Sequence, residues 1–205
     1  MSYTPAPMTP ADRPEPTRRS RILLTTAVAA GGLLLDLATK QWAWNNLRVG
    51  QPVTVIPDWF YLEFGFNTGS AFSLLRDASW ARYFFIVVTL AAVAYMVHLA
   101  RTLPTRWASA FVAVGLIASG ALGNLHDRLF RTLDLIEGTR HGVVDFLKFY
   151  YWPGKAWPTF NVADVALVIG VAMILVFLSR HGDALEAPAG DDAAPEPTPG
   201  AAPQG

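Results

Sequence analysis

The chain has 205 residues, 52% of them hydrophobic, and its 16 basic residues are balanced by 16 acidic ones for a formal net charge of zero. That balance, without any basic patch interleaved with aromatics, argues against nucleic acid or acidic macromolecules as partners. Cysteine is absent, which removes disulfides, thiolate metal sites and cysteine nucleophiles together.

Residues 1–20 are rich in Pro and Ala, with too few large apolar side chains to offset the entropy of ordering, and read as a disordered tail. Residues 183–205, rich in Pro, Ala and Gly, read the same way and leave 21–182 as the structured unit. Within that unit four apolar runs, at about 22–44, 83–100, 107–125 and 160–178, approach the roughly 20 residues that a helix needs to cross a bilayer. The first run follows "TRRSRILL", a signal-peptide-like start. It carries Asp36 and Lys40 at its far end and lacks a small-residue cleavage site, so it reads as a retained helix. The expected fold is an all-α membrane protein of four transmembrane helices, with a small β element and an interfacial helix at its outer face.

Arginines in short loops set the expected orientation. Arg18, Arg19 and Arg21 precede the first run, Arg101 and Arg106 bracket the link between the second and third, and Arg180 follows the fourth. All of these lie on one side of a four-span protein, which places both termini in the cytoplasm. Arg48, Arg76, Arg82, Arg131 and Arg140 fall in the longer segments on the other side, where the rule weakens. The first of those segments, "PVTVIPDWFYLEFGF", alternates as a bent sheet would. The second, "GVVDFLKFYYWPGKAWP", has the aromatics of a membrane interface.

Polar residues gather at the outer ends of every run but the second. Asp36 and Lys40 are four apart. Asn124, Asp127 and Arg128 lie at i, i+3 and i+4, and Asn161 and Asp164 are three apart, so each set shares a helix face. Gly115, Ser119 and Gly123 form a ladder of small residues that permits close helix packing. An aspartate inside an apolar run is costly, and Asp164 has no basic residue within a helical turn of it. Asp145 lies 19 residues earlier, near enough along the chain for a loop or short helix to bring the two together. Two carboxylates at a water-poor site do not readily ionise together, so one holds a proton while the other is a base. The bland alternatives are structural ion pairs at Asp36–Lys40 and Asp127–Arg128, and incidental histidines at His98 and His126. A proton-coupled transporter and a helix-locking scaffold are the rival functions; the acids cluster at one end and no repeat is visible, which speaks against a transport path.

Five ordered blocks, "DLATK" at 36–40, "FNTGSAFSLL" at 66–75, "GALGNLHDRL" at 120–129, "GVVDF" at 142–146 and "FNVAD" at 160–164, resemble the lipoprotein signal peptidases, the type II signal peptidases of bacteria. The resemblance runs from about residue 21 to 180. It implies a membrane aspartic endopeptidase with Asp145 and Asp164 as the catalytic pair. One aspartate takes a proton from water while the other, protonated, polarises the scissile carbonyl. It further implies that Asp36, Lys40, Asn67, Asn124, Asp127, Arg128 and Asn161 support the site or contact substrate. The implied substrates are prolipoproteins, cut before a diacylglyceryl-modified cysteine at the outer face of the cytoplasmic membrane. Membrane lipid is the other expected partner, the protein is expected to act as a monomer, and no metal or organic cofactor is expected. Two departures stand out. Ser70 replaces the usual Ala before Ala-Phe, and the link "FRTLDLIEGTRHG" is longer than the family norm.

Overall fold

The computed structural model describes residues 16–69, 80–135 and 138–186; both expected tails beyond these limits, and Ser70, lie outside the described residues. Four helices are long and apolar enough to cross a membrane. They are α1 (Arg18–Asn46), α2 (Ala81–Thr102), α3 (Ala108–Phe130) and α4 (Val162–Glu186). Helix α1 therefore begins before residue 21 and α4 continues past residue 182. The start of α1 is set by Thr17, whose side chain accepts from the Ser20 N–H at 3.2 Å, an N-cap that satisfies one orphan donor. Helix α2 stops at Leu103, immediately before Pro104, where the missing N–H and the ring forbid continuation.

Helix α3 is the central helix. Its ladder packs against α1 so tightly that a Cβ on Gly123 would lie 2.2 Å from Asp36 Oδ2. On its other side a Cβ on Gly120 would lie 2.3 Å from the Ala163 carbonyl of α4. Only hydrogen fits in either place. One apolar cluster, including Met96, Phe111, Val114, Ile117 and Phe177, fills the end of the bundle near the α2–α3 link. A second joins Ala43 and Leu47 of α1 to Val144 and Phe146 of the sheet. The buried polar residues Asp36, Lys40, Asn124, Asp127, Asp145 and Asn161 lie in the layer where the helices meet the sheet.

That sheet has the order β1-β2-β5-β6, with β1 (Val53–Ile56), β2 (Phe60–Asn67), β5 (Val143–Trp152) and β6 (Lys155–Ala156). All its pairings are antiparallel, and irregularities between Thr54 and Ile56, Leu62 and Gly65, and Tyr150 and Trp152 bend it. The extended link forms a separate hairpin of β3 (Thr132–Leu135) and β4 (Gly138–His141). The expected interfacial helix is not found among the described residues, and the aromatic segment is strand and extended chain. Among the described residues the four long helices are the only helices. Its β-branched and aromatic residues alternate beside β2, and pairing there satisfies backbone groups that a helix at an interface would satisfy internally.

Candidate active site

Strand β5 carries Asp145 and is paired so that Asp145 stands opposite Gly65 and Val143 opposite Asn67. Its inner end, Val143 to Phe146, is buried and its outer end is exposed. After the β5–β6 turn the chain returns beside β5. Leu147 N–H donates to the Phe160 carbonyl at 2.8 Å, and Phe160 N–H donates back to the Leu147 carbonyl at 3.0 Å. This bridge, and not a short helix, sets the next residue, Asn161, against Asp145.

Asn161 touches both carboxylates. Its Nδ2 donates to Asp145 Oδ1 at 2.7 Å and its backbone N–H donates to Asp164 Oδ2 at 3.1 Å. Its own Oδ1 accepts from the Asp164 N–H at 3.0 Å. Asn161 is therefore the residue before α4, not a residue within it. With Asp164 it forms the reciprocal bonds of a capping box. The other oxygen of Asp164 accepts from Asn124 Nδ2 at 2.8 Å. Asn124 is oriented from behind, because Lys40 Nζ and Asn161 Nδ2 both donate to its Oδ1, at 2.8 and 3.2 Å. A lysine ammonium has no acceptor, so it fixes which way the Asn124 amide faces.

Lys40 is 0% exposed and pairs with Asp36 at 2.8 Å, with Asp127 at 4.0 Å. Asp36 Oδ1 also accepts from the Ala163 N–H at 2.9 Å, holding the first turn of α4 from another helix. Asp127 accepts from the Val144 N–H at 3.0 Å and so ties down the strand beside Asp145. Asp127 also pairs with Arg131 at 3.0 Å, and the Asp127–Arg128 pairing suggested by adjacency does not form. Arg128 instead extends over the Phe85 ring, 5.0 Å from its centroid, and its charge acts on Asp164 and Asp145. Asn67 stands near enough to Asp145 to stabilise its carboxylate and accepts from the Gly69 N–H at 3.0 Å.

All nine residues singled out in the sequence thus converge on one layer. Burial, and then the negative charge of Asp164, push the Asp145 carboxyl up to about 7, against the opposing influence of the Asn161 hydrogen bond and of Asn67. Asp164 lines an apolar groove of about 410 Å³ with Phe149, Trp157, Phe160, Val165 and Ile169. A larger cleft of about 930 Å³, walled by Trp59, Tyr61 and Tyr150, lies on the sheet and is lined by neither carboxylate. Among the described residues no three His, Asp or Glu side chains are grouped to hold a metal ion.

The sequence reading passed over Arg82. The second run has a polar outer end after all: Arg82, in the first turn of α2, donates to the Arg128 carbonyl at 2.9 Å. Its signal was present in the sequence as an arginine just before an apolar run, but it was absorbed into the loop-charge count.

The model of the family described as signal peptidase (SPase) II matches residues 28–180. The chain belongs to the signal peptidase II family. A lipoprotein signal peptidase of Geobacter metallireducens is 40% identical over 154 residues, 75% of this chain and 88% of that protein. One from Symbiobacterium thermophilum is 34% identical over 165 residues, 79% of this chain and all of that protein. A solved bacterial membrane enzyme superposes with a TM-score of 0.65 at 26% identity, covering 84% of this chain and 95% of that one. The protein is accordingly a peptidase and a multi-pass bacterial membrane protein.

Proposed function

We propose that this signal peptidase cleaves prolipoproteins with Asp145 and Asp164 as an acid–base pair. Asp145, buried and pushed up to about 7, is the acid. Asp164, at the α4 N-terminus with N–H donors on both oxygens, is the base. Asp164 takes a proton from water as the water oxygen bonds to the scissile carbonyl carbon. Asp145 gives its proton to the carbonyl oxygen. As the C–N bond breaks, the leaving nitrogen takes the proton from Asp164, and Asp145 recovers its own from the hydroxyl formed at carbon. The products are a carboxylic acid and an amine, and both aspartates are restored. The observation that carries this reading is Asn161, which bonds both carboxylates and thereby fixes their separation.

The apolar groove beside Asp164 suits a lipidated substrate, supporting a cut before a diacylglyceryl-modified cysteine, with membrane lipid as the surrounding partner. Loop arginines support cytoplasmic termini and a site toward the outer face. The protein acts as a monomer in this reading, because one chain supplies every member of the polar layer. The test is cleavage of a lipidated lipobox peptide by purified enzyme in detergent, without added metal or a gradient. Asp145→Asn and Asp164→Asn should each lower turnover by at least about a hundredfold. Near-normal turnover by either folded variant would sink the assignment.

A further inference from the structure

The last carbonyls of a helix have no intrahelical partner and must be satisfied from outside. At the end of α3 that partner comes from α2. Arg82 Nε donates to the Arg128 carbonyl at 2.9 Å and Nη2 to the Leu129 carbonyl at 3.4 Å. Its Nη1 lies 3.2 Å from His141 Nδ1. Burial and the Arg82 charge both hold His141 below the ordinary imidazole range, which leaves Nδ1 free to accept. One planar fork therefore serves three acceptors on two elements, a geometry that an ammonium cannot reproduce.

Three residues further on, the same face of α2 presents Phe85, whose ring lies beneath the Arg128 guanidinium at 5.0 Å. Helix α2 thus holds Arg128 at both ends, its main chain through Arg82 and its side chain through Phe85. Arg128 also donates to the carbonyl of Asn124 at 3.3 Å, the residue whose amide serves Asp164. Among the described residues no carboxylate lies within ion-pair distance of Arg128. Among the described residues, close contacts with neutral groups thus hold this charge in place relative to Asp145 and Asp164.

We propose that Arg82, assisted by Phe85, is a positioning residue that fixes the Arg128 charge beside the two catalytic aspartates. This rests on the acid–base reading of the site given above. His141 extends the hold to the chain entering β5, because it directly precedes Gly142 and the strand that carries Asp145.

The test is a double-mutant cycle on the full-length enzyme in detergent, following kcat, KM and the pH profile with a lipidated peptide. Arg82→Gln should lower kcat about tenfold with KM little changed, and should add less than about twofold in an Arg128→Gln background. It should also move the alkaline limb of kcat/KM to higher pH. With the cation displaced, the aspartates keep their shared proton longer. Phe85→Leu, which leaves the carbonyl bonds in place, should shift that limb the same way, and Arg82→Lys should recover less than half of the loss. Equal losses of kcat in both backgrounds with an unmoved limb would show that Arg82 only supports the fold. An unaffected Arg82→Gln enzyme would overturn the inference outright. Undiminished kcat in Arg128→Gln itself would overturn it together with the role of Arg128, whereas loss in Arg128→Gln alone would overturn only the part played by Arg82.

Discussion

Asp164 is the third residue of α4, and its place there resolves the apparent cost of a carboxylate in an apolar run. The first turn of a helix exposes N–H groups and the positive end of the dipole, and Asn161 closes the box from the other side. Asp145 has the opposite setting. It is held up to about 7 by burial and by the charge of Asp164. Between about pH 4 and 7 the folded protein keeps a proton that the unfolded chain has released, so stability falls as pH rises through that window and levels off above it. The difference amounts to about 4 kcal/mol at most. Asp145→Asn should therefore melt higher than the parent at pH 8 and nearly level with it at pH 4, as read by thermal unfolding in detergent. Equal melting at pH 8 would contradict the burial of a carboxylate there. For the parent enzyme, kcat/KM should fall on the alkaline side with an apparent pKa near 7, a value belonging to the pair. Spacing allowed Asp145 and Asp164 to meet, and the family resemblance singled them out as a pair. The bridging role of Asn161 was not legible, because a sequence does not show that this residue stands just ahead of the helix.

At the scale of elements, close approach of helices decides what α3 tolerates. A methyl on Gly120 would meet the Ala163 carbonyl at 2.3 Å and Leu167 Cγ at 2.7 Å, while one on Gly31 meets nothing within 4 Å. Gly120→Ala should cost about 1–3 kcal/mol through forced separation of α3 from α4. Gly31→Ala should be neutral, or stabilising by up to about 1 kcal/mol. Melting temperatures in one detergent check both, and similar behaviour of the two variants would refute the contrast. The β3–β4 hairpin poses a different question. Its strands pair with each other, while its base is held by the Gly142 N–H to Arg131 carbonyl bond at 3.3 Å and by His141 against Arg82. Shortening the hairpin across 133–139, with Arg131, Arg140 and His141 kept, should leave turnover within about twofold, since loop length is cheap. A tenfold fall with normal membrane insertion would instead mark the hairpin as a lid. Four spans were visible as apolar runs of bilayer length. That the aromatic segment is strand was not visible, because its composition suits an interface whether it is helix or strand.

Across the whole molecule, arginines do double work. Arg18 and Arg21, counted first as topology signals, also donate to carbonyls near the end of α2: Arg18 to Leu103, and Arg21 to Thr105 at 2.7 Å. A cysteine-free chain makes the orientation testable with single introduced thiols. Pro104→Cys should be protected from an impermeant reagent added to intact cells, and Lys155→Cys at the exposed start of β6 should react. The reverse pattern would invert the protein in the membrane.

The sequence by itself determined the membrane class, the four spans and which polar residues share a helix face, because hydrophobic length and helical spacing are local properties of a chain. It also singled out Asp164, since a carboxylate in an apolar run is costly enough to stand out. Only the tertiary structure decided how those residues are used. Asp127 joins Arg131 and the Val144 N–H instead of Arg128. Asp36 reaches across 127 residues to cap α4, and Arg82 closes the end of α3. Each of these links satisfies a backbone or charged group that folding buries, and which partner satisfies it depends on what the packed helices bring within 3 Å, a distance that no spacing along the chain encodes.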